Sequence, residues 1–157
     1  MDQNRASRAP EIIREFSERV RDERWRELAV TFRIIGGVPS QGYFEELELE
    51  GIGTVKGRLR DELTAQGPLE AVHELNEADT RELLQALASG LGKLTPQASF
   101  IPDSLVGSVI VRIEDRAAAI YFDPEETDPT NASNLPPEIE WVLEELRKVF
   151  DKSTLRR

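Results

Sequence analysis

The sequence predicts an α+β fold, in which a mainly antiparallel sheet of four to six strands, built from two hairpins, packs against three helices. Three stretches repeat apolar residues at intervals of three and four, which is the period of an amphipathic helix. Between them, apolar and polar residues alternate, as is typical of half-buried strands. The connections between alternating stretches are short, so neighbouring strands should run antiparallel.

The chain has the size of one domain. Its 157 residues include 39% hydrophobic ones, enough for a core that needs no disulfide or metal. We expect a disordered N-terminus at 1–9, a single α+β domain at 10–151 and a flexible tail at 152–157. The first residues lack the apolar stretch of a secretory signal, and no apolar run approaches the ~20 residues that cross a bilayer. A cytoplasmic location without a membrane partner is therefore expected.

The first helix is predicted from about Pro10 to Arg24, because proline fits the first helical turn. Its apolar residues form a narrow stripe: Ile12, Ile13, Phe16 and Val20. This stripe can pack on the protein's own sheet or dock on another protein, and the sequence leaves both alternatives open. From Trp25 the period changes to two, which predicts a strand with one buried side: Leu28, Val30, Phe32 and Ile34.

The segment YFEELELEGIGTVKGRLRDEL predicts a hairpin and its register. If the turn is centred on Ile52, Glu48 lies opposite Lys56 and Glu46 lies opposite Arg58. The same register places mostly aliphatic residues on the reverse side. A slip by one residue would destroy both patterns, so the register should be well specified.

A short strand is expected around Leu69–Leu75. The helix that follows should begin with Asn76 as its N-cap and Asp79 at the third helical position, and should end near Gly90 or Gly92.

A second hairpin is predicted to pair Val109 with Phe122, Val111 with Ile120 and Ile113 with Ala118, about a turn at Asp115-Arg116. Both sides of these strands carry apolar residues, which favours central strands covered above and below. The last helix should extend from about Pro137 to Asp151, with one broad apolar stripe.

No residue pattern points to catalysis or to a cofactor. His73 is the single histidine, and there is no cysteine or GxSxG serine to act with it. The acids of segment 123–128 are interrupted by proline and lack the spacing of a calcium loop. We therefore expect no enzyme activity, no cofactor and no metal. With 30 acidic residues against 20 basic ones, nucleic acid is also an unfavourable partner.

The features that suit binding are an exposed aromatic residue and a glycine-rich loop. Trp141 lies on the polar side of the last helix, where large aromatic residues often contact a partner, although the 123–136 loop can instead cover it. Self-association through Trp141 is a further alternative. The full set of candidate partner-binding residues is Trp141, Gly36, Gly37, Val38, Pro39, Asp103, Phe16 and Ile12.

From about Val30 to Phe150 the chain resembles the emfourin-type proteins, small cytoplasmic inhibitors of protealysin and related thermolysin-like metallopeptidases. The resemblance rests on a strand that ends in a glycine pair (FRIIGG), a leucine-rich helix (RELLQALASGL), Asp103 before a strand, an acidic stretch, and a last helix that begins PEIEWVLEEL. The chain departs from the family after the glycine pair, where Val38-Pro39 replaces Phe-x-Gly.

The sequence as a whole favours a non-enzymatic protein-binding module. The family resemblance implies that its partner is a metallopeptidase, which a loop would inhibit by entering the substrate cleft with a carboxylate near the metal. The alternative is an accessory subunit of a larger assembly that docks through the N-terminal helix.

Overall fold

The computed structural model describes residues 2–36, 43–61, 66–94, 106–122 and 135–154. Within these ranges the chain forms three helices and six strands, which confirms the predicted α+β fold. In chain order they are α1 (Asp2–Arg21), β1 (Leu28–Ile35), β2 (Tyr43–Glu50), β3 (Thr54–Asp61), β4 (Gln66–Glu74), α2 (Glu77–Leu91), β5 (Val106–Ile113), β6 (Arg116–Phe122) and α3 (Pro137–Thr154).

The six strands form one open antiparallel sheet in the order β4-β3-β2-β1-β5-β6. β1 to β4 form a meander in which each strand pairs with the next. β5 then pairs with the free side of β1, and β6 follows as a hairpin. β4 and β6 are therefore the two edges of the sheet.

The β2–β3 hairpin has the predicted register. Glu48 faces Lys56, Glu46 faces Arg58, and the reverse side pairs mostly aliphatic residues. The turn depends on Gly53, whose φ of 103° is a conformation that side chains with a Cβ rarely adopt. The ammonium of Lys56 contacts the diagonal Glu50 at 3.2 Å.

The predicted register of the β5–β6 hairpin is wrong by two residues. Val109 faces Ile120 and Val111 faces Ala118. The turn therefore consists of Glu114 and Asp115 instead of the predicted Asp115-Arg116, and Glu114 has a φ of 56°. A slip by two keeps every side chain on its own face, because the side-chain period of a strand is two. The alternation of apolar residues therefore could not distinguish the two registers.

All three helices pack on one face of the sheet. α1 lies on β5 and β6, α3 lies on β2, β3 and β4, and α2 contacts both helices. The core side of β1 is the predicted one, and the largest fully buried residues come from every layer: Phe16, Phe32, Phe122, Leu28, Leu47, Leu49, Leu84, Leu87, Leu91, Ile113, Ile139 and Leu146.

No helix of the described residues covers the opposite face of the sheet. The prediction that both strands of the second hairpin are central and doubly covered is therefore wrong for β6, which is an edge strand with Tyr121 46% exposed. The residues of its open side are small or carry a polar group, as in Ala117, Ala119 and Tyr121. Such residues expose little apolar surface and do not need a second layer.

The helix ends differ from the predicted ones at two places. α1 begins at Asp2, so the predicted disordered segment 1–9 is helical from Asp2 onward and Pro10 lies inside the helix. Alanine, arginine and glutamine before Pro10 are good helix formers, and an interior proline disrupts hydrogen bonding only locally. α3 continues past Asp151 to Thr154.

α2 has the predicted caps. The side chain of Asn76 accepts a hydrogen bond from the backbone N–H of Asp79 at 2.7 Å, and Gly92 follows the last helical residue. The expected strand before this helix is β4.

Candidate functional site

The end of β4 and the facing sides of α2 and α3 enclose a groove of about 290 Å³. We call it the Trp141 groove. It is lined by His73, Leu75, Asp79, Glu82, Leu83, Trp141, Glu145 and Val149.

Trp141 reaches this groove because it lies outside the apolar stripe of α3. The stripe buries Ile139 and Val142 in the core, whereas Trp141 remains 39% exposed. Glu145 and Val149 follow at intervals of four residues and so share its side of the helix. The alternative cover, the 123–136 loop, lies outside the described residues up to position 134.

The groove combines an apolar base with an acidic rim. Asp79 and Glu82 on α2 are exposed, and Glu145 on α3 is half-buried. Glu145 forms an ion pair of 3.2 Å with Lys148. An aromatic ring beside several carboxylates suits a ligand that has both an apolar part and a positive charge.

His73 also lines the groove, from the strand that forms the edge of the sheet. Its side chain is exposed, and no hydrogen bond or ion pair joins it to the rim acids in the described part of the chain. General acid–base catalysis requires partners within hydrogen-bond reach of the proton that moves. His73 thus lies on an edge strand, and no such partner is in place among the described residues.

The backbone of β4 next to this groove has a free side. Leu75 donates its N–H to Gly53 O at 2.8 Å, so the backbone groups of Leu75 point towards β3. In an antiparallel ladder, residues whose groups point inward alternate with residues whose groups point outward. The N–H and C=O groups of Glu70, Val72 and Glu74 therefore point away from the sheet, where no described strand pairs with them.

Of the predicted loop candidates, the structure describes Gly36, which follows the last residue of β1. Gly36 donates its N–H to Tyr43 O at 2.7 Å, which closes the pairing of β1 with β2. The candidate residues Gly37, Val38, Pro39 and Asp103 lie outside the described residues.

The strand ends that flank these loop segments are neighbours. Ile35 pairs with Phe44 and with Val106, and Gly107 pairs with Phe122. The segments 37–42, 95–105 and 123–134 therefore all join the sheet at the same end. The described strand ends at which these segments attach lie at the other end of the sheet from the end of β4 that borders the Trp141 groove.

Two predicted partner-binding residues are in the core. Phe16 has no exposed surface and Ile12 is 5% exposed. Their helix packs on β5 and β6 because its apolar stripe is the cover that those strands require. The interpretation of Ile12 and Phe16 as partner-binding residues is therefore wrong for the folded domain.

Sequence reasoning missed most of the groove. His73, Leu75, Asp79 and Glu82 were not candidates for binding, because nothing in their spacing relates them to Trp141. The one available signal was Asn76, whose role as N-cap fixes how closely α2 follows β4.

No protein-family model matches the chain, and no curated protein is similar to it. The resemblance to emfourin-type proteins therefore stays a prediction. Among the described residues, no group of three or more potential ligands is placed to hold a metal ion. No helix of the described segments combines the length and apolar character that a membrane crossing requires.

Proposed function

We propose that this protein is a non-enzymatic protein-binding domain whose contact surface is the Trp141 groove together with the free edge of β4. The observation that carries the proposal is the position of Trp141, a half-exposed aromatic residue in a groove beside backbone groups that no described strand pairs with. Tryptophan is enriched among the residues that contribute most to protein interfaces, especially when it fills or borders a pocket.

The shape of the surface favours a protein over a small molecule. β4 lines the groove and is an edge strand, and the rows of N–H and C=O groups at its outer side form a template for another polypeptide. A small metabolite would use the groove alone and would leave this edge unpaired.

A photo-reactive phenylalanine analogue at position 141 tests the proposal in extract of the cells that produce the protein. We expect a discrete covalent protein adduct at position 141. The matched control is the same analogue at Gln85, an exposed position on α2 outside the groove. Equal adducts at both positions, or none at position 141, would contradict the proposal.

A second candidate function is inhibition of a thermolysin-like metallopeptidase. It is favoured by the strand ends at Ile35, Val106 and Phe122, which lie together at one end of the sheet, since binding residues are often carried by the connections attached to a rigid scaffold. Titration of a thermolysin-like enzyme with the purified protein tests it. Unchanged peptidase activity at micromolar protein would remove this candidate.

The accessory-subunit alternative requires α1 to dock on another protein, but the apolar residues of α1 are buried in the core. Because Phe16 and Ile12 are buried, deletion of residues 1–24 would expose the core rather than remove a free docking helix. Exposed α1 positions such as Arg14 are the substitutions that test a docking role without unfolding the domain.

A further inference from the structure

We infer that the partner of the Trp141 groove is an extended cationic segment of another protein, which adds to β4 as a seventh strand and places a lysine or arginine side chain in the groove. This inference rests on the proposed function and specifies the chemistry of its partner.

The backbone of β4 provides the first half of the recognition. The outward N–H and C=O groups of Glu70, Val72 and Glu74 repeat at every second residue, which is the spacing that an added strand pairs with. Main-chain pairing of this kind gives affinity, and side chains at alternate positions of the added strand give specificity.

The register of such a strand brings one of its side chains to the groove. Side chains of residues that face each other across a ladder lie on the same side of the sheet. Val55, which pairs with His73, is buried on the helix side, so a partner residue opposite His73 would also point to that side. There it lies next to the groove that His73 and Trp141 line together.

The carboxylates and the aromatic ring of the groove favour a positively charged side chain. Asp79, Glu82 and Glu145 line the same groove as Trp141, and Lys148 balances the charge of Glu145. A cation over a tryptophan face is attracted by the negative potential of the ring, most strongly where water is excluded.

Contacts between a cation and an aromatic ring occur at two other places in the protein. The guanidinium of Arg81 lies 5.2 Å from the Trp25 ring centre, and that of Arg58 lies 5.6 Å from the Phe44 ring centre. Among the described residues, no cation lies over Trp141.

The open side of β4 is acidic as well. Glu70 and Glu74 flank Val72 there, and Arg58 contacts Glu70 at 3.5 Å. Arg58 balances Glu70, which leaves Glu74 as the carboxylate of this side that no cation pairs with among the described residues. The chain as a whole carries a net charge of -10, which attracts a cationic segment at long range.

The other edge of the sheet lacks this complementarity. The one charged residue of β6 is Arg116, which binds Glu15 of α1. A cationic strand would meet no free carboxylate on β6 itself. The charge distribution therefore assigns the segment to β4.

A capped heptapeptide of alternating lysine and valine tests the inference by calorimetric titration of the full-length protein. We expect it to bind, with weaker affinity at higher salt, whereas the matched peptide of alternating glutamate and valine should not bind. Trp141→Ala should weaken binding of the lysine peptide roughly tenfold or more.

Val72→Pro tests the strand pairing specifically. It removes an N–H that points away from β3, so it should leave the sheet intact and weaken peptide binding roughly tenfold or more. Val72→Ala, which keeps the N–H, is the matched control and should retain most of the affinity.

Amide exchange on the wild-type protein keeps the inference testable if the proline variant does not fold. Bound lysine peptide should slow exchange at Glu70, Val72 and Glu74, and leave Ala71 and His73 nearly unchanged. Equal binding of the two peptides, no binding of the lysine peptide, or binding without this alternating protection would overturn the inference. An adduct at position 141 in the cross-linking experiment would still support the proposed function, so the two failures are distinguishable.

Discussion

Glu45 is a carboxylate on the helix side of β2, between Ile34 of β1 and Leu59 of β3, and it is only 9% exposed. Arg147 of α3 donates to both of its oxygens, from Nε at 3.0 Å and from Nη2 at 2.7 Å. This hydrogen bonding to Glu45 raises the pKa of Arg147 above its usual value. The bidentate pair compensates for the desolvation of the carboxylate and fixes α3 on β2.

Arg147→Met should destabilise the protein, because Glu45 would retain the Tyr43 hydroxyl at 3.4 Å as its remaining side-chain donor among the described residues. We expect the free energy of unfolding to fall by about 1–3 kcal/mol in urea titrations. The matched control is Lys148→Met, which removes the more exposed pair with Glu145 and should change stability by less than about 0.5 kcal/mol. Equal losses in the two variants would contradict this account.

Gly57 is a glycine because of a neighbouring ring. It lies on the helix side of β3, and a Cβ built on it would collide with Phe150 of α3. Gly57→Ala should therefore lower the free energy of unfolding by about 1–3 kcal/mol, measured by urea titration. Phe150→Leu in the same chain should restore part of the loss.

Gly92 provides the control for Gly57. A Cβ on Gly92 would meet nothing within 4 Å, and its φ of -67° suits any residue. Gly92→Ala should leave stability unchanged or slightly raise it. A comparable loss at both glycines would show that crowding by Phe150 is not the cause at Gly57.

At the scale of elements, the β2–β3 hairpin depends on charges across its open face. Glu48 accepts a hydrogen bond from the Thr31 hydroxyl at 3.2 Å and faces Lys56, whose pKa is raised mainly by Glu50 and to a lesser extent by Glu48. Removing the acid at this position should therefore weaken the pairing of both neighbouring strands.

Glu48→Lys should loosen the hairpin, because it places two lysines opposite each other. We expect amide exchange in β2 and β3 to become roughly two- to fivefold faster, which corresponds to about 0.5–1 kcal/mol. Glu82→Lys, an equal change of charge on α2, should leave these amides unaffected. Unchanged exchange in the Glu48→Lys hairpin would argue against a contribution from the charge pairing.

The two hairpins show what a sequence can predict about a register. In β2–β3, a two-residue slip would still pair acids with bases, because Glu48 would face Arg58 and Glu46 would face Arg60. The register could be predicted because Gly51 and Gly53 define the turn around Ile52. In β5–β6, valine, isoleucine and alanine occupy equivalent positions, and a two-residue slip keeps them all on the same face. There the turn at Glu114 decides the register, and its positive φ has no signal in the residue type.

At the scale of the whole molecule, the fold class and the side of each helix that is buried followed from periodicity. The candidate site could not be predicted from periodicity. His73, Asp79 and Trp141 belong to three elements, and only the packing of α2 against α3 brings them to one groove. The exposure of Trp141 could be predicted because it lies on the polar side of its helix. The residues that neighbour it in the groove could not be predicted, because residue spacing along the chain does not determine how two helices pack against each other.

The attachment of α1 to the rest of the molecule should depend on pH. Glu15 binds Arg116 of β6 through both carboxylate oxygens, and this bond is the main reason that the pKa of Glu15 lies below its usual 4.5. With the folded pKa depressed, the stabilisation is complete above about pH 4.5 and is lost as the pH falls through the folded value.

Thermal unfolding of the wild type and of Glu15→Gln at a series of pH values measures this contribution. The wild type should be more stable near neutral pH, and its advantage should shrink as the pH falls below 4.5. A difference that stays constant down to strongly acidic pH would mean that the ionised carboxylate is not responsible.

The order of the elements along the chain also means that the apolar stripe of α1 is synthesised well before the strands on which it packs. α1 leaves the ribosome before the meander and α2, yet β5 and β6, on which it packs, are made after them. Phe16 has no permanent neighbours on the sheet until the last hairpin has emerged. Ribosome-associated chaperones that bind apolar segments would therefore meet the stripe of α1 throughout this interval.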